Sequence, residues 1–218
     1  MPTLPDHRSA RANYHHGDLR RVLIDTALTL LSEEGNWTFT LRELARRADV
    51  SHTAPYRHFL DKRDLLAEVA AMGFETLTEA MQRAAVDLPG SPAAQFRALG
   101  LAYGRFGVEH AAHYRLMFGA EFAADRSRYP RLNDAAEAAF GVLVTGLHQC
   151  ATAGLVRSGS IEEQARVAWA VVHGLTLLVI DRWVAAEGET ESAEALAQAA
   201  TAALFHGLAI PNSLPARG

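Results

Sequence analysis

The sequence predicts an all-α protein, with a small N-terminal helical head followed by a larger helical bundle. Three observations carry this. Apolar residues recur every three to four positions along almost the whole chain, and nowhere do they alternate as a strand requires. Helix-start signatures stand in front of the periodic stretches, among them Thr40-Leu-Arg-Glu43, Ser91-Pro92 and Ser160-Ile-Glu-Glu163. Leu88-Pro89-Gly90 breaks the pattern and separates a group of short helices from the longer ones after it.

Asp18 can open the first helix, which places Leu19, Val22, Leu23, Thr26, Ala27, Leu30 and Leu31 on one face and stops at Gly35. Thr40 and Glu43 form a capping box worth about 1 kcal/mol, starting a helix that ends near Ala48. Asp49-Val50 makes a tight turn, and Ser51 caps a third helix running through Phe59. Asp61-Lys-Arg-Asp64 opens a fourth, which Leu88-Pro89-Gly90 ends. Beyond Ser91, Phe96, Leu99, Tyr103, Phe106 and His110 recur at helical spacing, Tyr114–Phe118 forms a short helix or turn, and Ala123–Tyr129 is a loop. Leu132–Ala153 is an amphipathic helix closed by Gly154. Ser160 caps a helix expected to reach Glu187, and a last one covers 192–206. Residues 1–12 and 212–218 are expected to be disordered tails.

The 218 residues are enough for a core without staples, and 49% hydrophobic against 21% charged residues is the composition of a globular protein. A net charge of −4 argues against coating nucleic acid by bulk charge. One cysteine, Cys150, excludes an internal disulfide and any multi-cysteine zinc site, and it points to a reducing compartment. The first sixteen residues have no apolar stretch, and the run Leu175–Ile180 is far shorter than a membrane span, so a cytoplasmic location is expected.

Thr40–Phe59 has a helix-turn-helix layout. In its second half, Pro55 and Phe59 turn one way, toward Leu41 and Leu44, while His52, Thr53, Tyr56 and Arg57 project on the other side. Such a surface, with few acids, suits a DNA major groove: hydroxyls and imidazoles reach base edges, and arginine reads guanine or holds phosphate. The charge split is weak but of the matching sign, +1 over residues 1–65 and −5 over the rest.

Gly35, Thr40, Ala45, Val50-Ser51, Tyr56-Arg57-His58-Phe59, Lys62 and Leu65-Leu66, with this spacing, resemble the DNA-binding domain of TetR-type transcriptional repressors over about residues 14–77. Trp169…His173-Gly174 resembles the signature of one C-terminal subfamily of that family, and the Tyr14–Arg20 stretch is similar to the same subgroup. The resemblance implies a DNA-binding head at 17–77 and an effector-binding, dimerisation bundle at 91–210. It implies phosphate contacts from Thr40, Ser51, Tyr56, His58 and Lys62, which fix register without reading sequence. His52, Thr53 and Arg57 are the candidates for base contact. Lys62, the only lysine, also reads as plain solvated surface. Two departures stand out: Asp49 replaces the glycine usual in the turn, and Pro55 removes an early helical hydrogen bond.

In the bundle, Phe96, Tyr103, Phe106, Tyr114, Phe118, Phe122, Phe140, Trp169 and Trp183 read singly as core and together as a cavity for a small lipophilic or aromatic effector. Phe96, Tyr103, Phe106, Trp169 and His173 are the candidate effector contacts. His173 has three readings, ligand contact, satisfied core histidine and dimer seam, of which a structural role is preferred. His110 and His113, three apart, are two ligands and not a metal site, and neither metal nor cofactor is expected. The apolar stretch Val171–Val184 and the alanine-rich last helix suit a homodimer seam. An enzyme lacks support: no Glu-x-x-His pair, H-E-x-x-H, P-loop or G-x-S-x-G occurs. The expected function is therefore a repressor that a small molecule releases from a palindromic double-stranded operator. The alternative is a helical adaptor without DNA binding, which leaves the His/Thr/Tyr/Arg face unexplained.

Overall fold

The computed structural model describes residues 16–86, 88, 90–184, 198–200, 202, 203 and 207, and over 16–184 the helical periodicity of the described residues resolves into eight α-helices and two 3₁₀ turns. The α-helices are α1 (His16–Glu34), α2 (Leu41–Arg47), α3 (Lys62–Val86), α4 (Pro92–Glu109), α5 (Ala111–Met117), α6 (Ala120–Ala123), α7 (Pro130–Thr152) and α8 (Ile161–Ile180). The 3₁₀ turns are Pro55–Arg57 and Arg126–Arg128. The two expected tails, and most of the last expected helix over 192–206, lie outside the described residues; 198–200, 202 and 203 are helical. The chain divides into two compact units, Met1–Val69 and Ala70–Gly218, with the boundary inside α3.

In the first unit α1 buries Leu23, Ile24, Ala27, Leu30 and Leu31, and α2 buries Leu41, Leu44 and Ala45. Gly35 ends α1 with φ +68° and a bond from its N–H to Leu31 O, as its position predicts. Asp49 takes φ +52°, the left-handed conformation its replacement of glycine requires. It stands at the end of a Schellman motif in which Val50 N–H bonds to Ala45 O and Asp49 N–H to Arg46 O. Half of the expected capping box at α2 forms. The Thr40 hydroxyl accepts from Glu43 N–H at 3.1 Å, while the Glu43 carboxylate lies 3.5 Å from Arg46. At α3, Asp61 caps the Asp64 N–H at 2.8 Å, and the Asp64 carboxylate accepts from Leu60 N–H.

In the second unit α4, α7 and α8 pack against one another. The spacing of Phe96, Leu99, Tyr103 and Phe106 puts all four into the core. They meet Leu132, Ala135, Ala136, Ala139, Leu147 and Cys150 of α7 and Ala165, Ala168, Val172 and Thr176 of α8 among the buried residues. The expected loop Ala123–Tyr129 contains the 3₁₀ turn, preceded by the single-turn α6. α8 stops at Ile180, earlier than expected. Arg182 turns left-handed at φ +62°, and Trp183 N–H bonds back to Leu178 O, closing the helix with the same Schellman motif. Arginine, unlike glycine, gives no sequence signal for that conformation. Among the described residues no helix is long and apolar enough to cross a membrane.

Candidate DNA-binding face and ligand cavity

The segment after Asp49 is built around Pro55. With no N–H, Pro55 leaves the Ser51 carbonyl to accept from Ala54 N–H at 2.9 Å, an i→i+3 bond. Arg57 and His58 N–H repeat that pattern on Ala54 and Pro55, so the expected third helix is a turn followed by a 3₁₀ segment. The split of faces is nonetheless the expected one. Ala54, Pro55 and Phe59 are buried, and Ser51, His52, Thr53, Tyr56 and Arg57 are exposed, Tyr56 at 59%. An exposed phenol beside an exposed arginine is what a polyanion-binding surface presents.

The remaining candidates are placed by capping and bracing. Thr40 is exposed at the N-cap of α2; its oxygen holds Glu43 N–H, leaving the hydroxyl proton to donate. The Ser51 and Thr53 hydroxyls lie 3.2 Å apart. His58 is half-buried and its Nε2 has no hydrogen-bond partner among the described residues, so an outward contact falls to Nδ1. Lys62 is neither plain surface nor a free anchor. Its ammonium donates to the Trp37 carbonyl and sits 5.0 Å from the centroid of the Phe39 ring, bracing the segment that leads to Thr40.

In the second unit a cavity of about 380 Å³ opens among α3, α4, α7 and α8. Its inner wall is Phe74, Leu77, Met81, Leu99 and Tyr103, and Phe118, Phe140, Leu143, Trp169 and Val172 are the other large apolar residues of the lining. Arg126, Glu137 and Arg166, all exposed, stand among the lining residues as its charged edge. Of the expected effector contacts, Tyr103 and Trp169 line the cavity, whereas Phe96, Phe106 and His173 do not. Phe96 is in the core beside the place where a side chain at Gly146 would stand, and Phe106 meets His110 with ring centroids 4.9 Å apart and the planes tilted by 49°. Trp183, read as part of the aromatic lining, is 78% exposed. The charged edge was missed because its members come from three distant elements that no spacing rule links.

His173 instead anchors a polar knot behind the lining. Its Nδ1 lies 2.6 Å from the Tyr114 hydroxyl and 3.0 Å from that of Tyr103. Tyr114 O–H donates to Tyr103 at 2.9 Å, Trp169 Nε1–H donates to the same oxygen at 3.1 Å, and Phe118 packs edge-on to the imidazole. Burial pushes both phenols above the ordinary tyrosine value and pulls His173 below the ordinary histidine value. In the unfolded chain the imidazole takes a proton near pH 6.5; in the folded protein it resists. The unfolded state therefore binds more protons in acid, so the contribution of His173 favours the fold above pH 6.5 and is lost as the pH falls below it. Melting temperatures should drop between about pH 7.5 and pH 5.5, and His173→Gln should flatten that part of the curve. Parallel curves for the two proteins would exclude this residue as the cause.

A helix-turn-helix head followed by a helical bundle with an apolar cavity is the architecture of a DNA-binding regulator. The model for the TetR family of bacterial regulatory proteins matches residues 23–69, and that for the tetracyclin repressor-like C-terminal domain matches 96–209. The chain belongs to the TetR family, a family of DNA-binding transcriptional regulators. It is 32% identical over 80 residues to the HTH-type transcriptional regulator AcrR of Shigella flexneri, a match spanning 37% of each chain. A Rhodococcus sp. RHA1 protein of unknown function is 34% identical with a TM-score of 0.79, over 91% of this chain and all of that one. The TetR family regulator PfmR of Thermus thermophilus, 20% identical with a TM-score of 0.65 over 86% of this chain and 99% of its own, shares the fold.

Proposed function

We propose that the protein is a cytoplasmic repressor, not an enzyme. As a homodimer it holds a palindromic operator through its two heads (residues 17–77) and releases it when a small apolar molecule enters the bundle (91–210). The observation that carries this reading is the exposed row His52, Thr53, Tyr56 and Arg57 above buried Ala54, Pro55 and Phe59. His52, Thr53 and Arg57 read bases; Thr40, Ser51, Tyr56 and His58 hold phosphates, and Lys62 serves them by bracing the chain before Thr40. For the dimer, α8 carries a second apolar stripe besides its buried one: Val167, Val171 and Leu178 are exposed at helical spacing. Two half-sites one turn of DNA apart require recognition segments about 34–36 Å apart in the dimer. Tyr103 and Trp169 are the effector contacts retained from the expected set. To switch from 99% bound to 99% free, the effector must favour the released state by about 5.5 kcal/mol.

Band-shift titration on the DNA flanking the protein's own gene tests the reading. Binding at low salt that falls steeply as salt rises is the expected result. No shift at any salt, with the dimer intact, would end it. Within that assay Tyr56→Ala weakens binding to all operator variants alike and lowers the salt slope by about 1, whereas Arg57→Ala costs about 1–3 kcal/mol and relaxes preference at one position. Equal losses across base-substituted operators for both variants would reject the division of roles.

A further inference from the structure

The cavity of the second unit has its unspent polar capacity on one side only. Inside, the Tyr103 hydroxyl already lies within hydrogen-bond distance of three protein groups, Trp169 Nε1–H, Tyr114 O–H and His173 Nδ1, at 3.1, 2.9 and 3.0 Å, and Nδ1 lies nearer still to the Tyr114 oxygen, at 2.6 Å. The other inner residues, Phe74, Leu77, Met81 and Leu99, have no polar side chain to satisfy. The inner wall therefore asks nothing polar of a ligand and penalises a charge brought to it. At the exposed edge the balance reverses. The Arg166 guanidinium makes no hydrogen bond or ion pair among the described residues. Arg126 spends only its Nε–H, on Asn133 Oδ1 at 3.2 Å. The Asn133 amide N–H in turn donates to Glu137 at 2.8 Å, so the single carboxylate of the edge is already held. Two cations and one anion leave a surplus of one positive charge beside an apolar chamber.

We infer that the cavity takes an amphipathic monoanion, an apolar body bearing a single carboxylate, with the body against the inner wall and the carboxylate on Arg166 and Arg126. The inference rests on the reading of the bundle as the effector domain and adds the chemical class of its ligand. A guanidinium fork fits a carboxylate's two oxygens, which a lone hydroxyl or amide cannot occupy in the same way. The edge is exposed, so the charge component is screened by salt while burial of the body is not.

Calorimetry on the full chain without DNA tests this, with octanoate and 2-naphthoate as probes and octanamide and 2-naphthamide as their uncharged counterparts. At low salt at least one carboxylate should bind about tenfold tighter than its amide, and the gap should narrow as salt rises. Arg166→Gln and Arg126→Gln, both at exposed positions whose loss leaves the core intact, should each remove most of the gap and leave amide binding unchanged. Amides that match or exceed the carboxylates, a carboxylate affinity indifferent to both substitutions, or no binding by any probe would each overturn the inference. Operator release is scored separately. Carboxylates that bind without releasing DNA leave the inference standing and remove the repressor reading; amides that alone bind and release DNA do the reverse.

Discussion

Phe59→Ala lowers the stability of the first unit by about 3–5 kcal/mol and abolishes operator binding. Phe59 is 2% exposed, and its ring is the far anchor of the segment that begins at Ser51. The Arg20 guanidinium lies 5.3 Å from the ring centroid and is itself held by Glu68 at 2.7 Å, so truncation also removes a cation–π contact from a braced arginine. A loss of that size is a large share of the roughly 5–15 kcal/mol that separates folded from unfolded domains. Because the segment is held by three i→i+3 bonds and a single i→i+4 bond, from Phe59 N–H to Pro55 O, and is not a full α-helix, its backbone cannot hold the His52–Arg57 row once the ring is gone. Phe59→Leu, which keeps most of the buried volume, should retain binding with a modestly lower melting temperature. Thermal melts paired with band shifts separate the cases. A Phe59→Ala protein that melts like the parent would mean the ring is not the anchor.

The faces of this segment were legible in the sequence while its helix type was not, and the two facts have one cause. Which side chains go inside follows from their chemistry at spacings of three to four, and that spacing is nearly the same in a 3₁₀ turn and an α-helix. The sequence does show Pro55, but not how far one missing donor unwinds its neighbours. Asp49 was readable because few residues tolerate the left-handed turn and aspartate is one of them; Arg182, in the same conformation at the end of α8, was not. In the second unit the period of α4 correctly buries Phe96, Tyr103 and Phe106, yet only Tyr103 reaches the cavity. Burial is a property of one helix face, whereas lining a cavity depends on which neighbour that face meets. Lys62 shows a third limit: its partner, the Trp37 carbonyl, lies 25 residues away and is a backbone atom, which no side-chain pattern announces.

Gly107→Ala destabilises the second unit by about 1–3 kcal/mol, although alanine is the better helix former. A Cβ at this position of α4 would stand 2.3 Å from Thr176 Cγ2 on α8 and 3.2 Å from two ring atoms of Tyr114. Thr176 is 3% exposed and cannot swing aside cheaply, because its hydroxyl donates to Val172 O at 2.7 Å and rotation would break that bond in a buried place. Tyr114 is fully buried and tied to Tyr103 and His173, so it can give by no more than a few tenths of an ångström, too little to clear the Thr176 clash. The helices must therefore separate, and the separation falls where Tyr103, one turn before Gly107, meets His173, three residues before Thr176. The sign of the effect should depend on the partner. With Thr176→Ala the nearest clash is gone, the Tyr114 contact costs only tenths of an ångström of adjustment, and the helix propensity of alanine, about 1 kcal/mol over glycine, makes Gly107→Ala neutral or stabilising. A double-mutant cycle by thermal or urea unfolding measures this as a coupling of about 1–3 kcal/mol. Additive effects, or an alanine at 107 tolerated with Thr176 present, would show that α4 and α8 are not held together by the absence of a side chain at this one position.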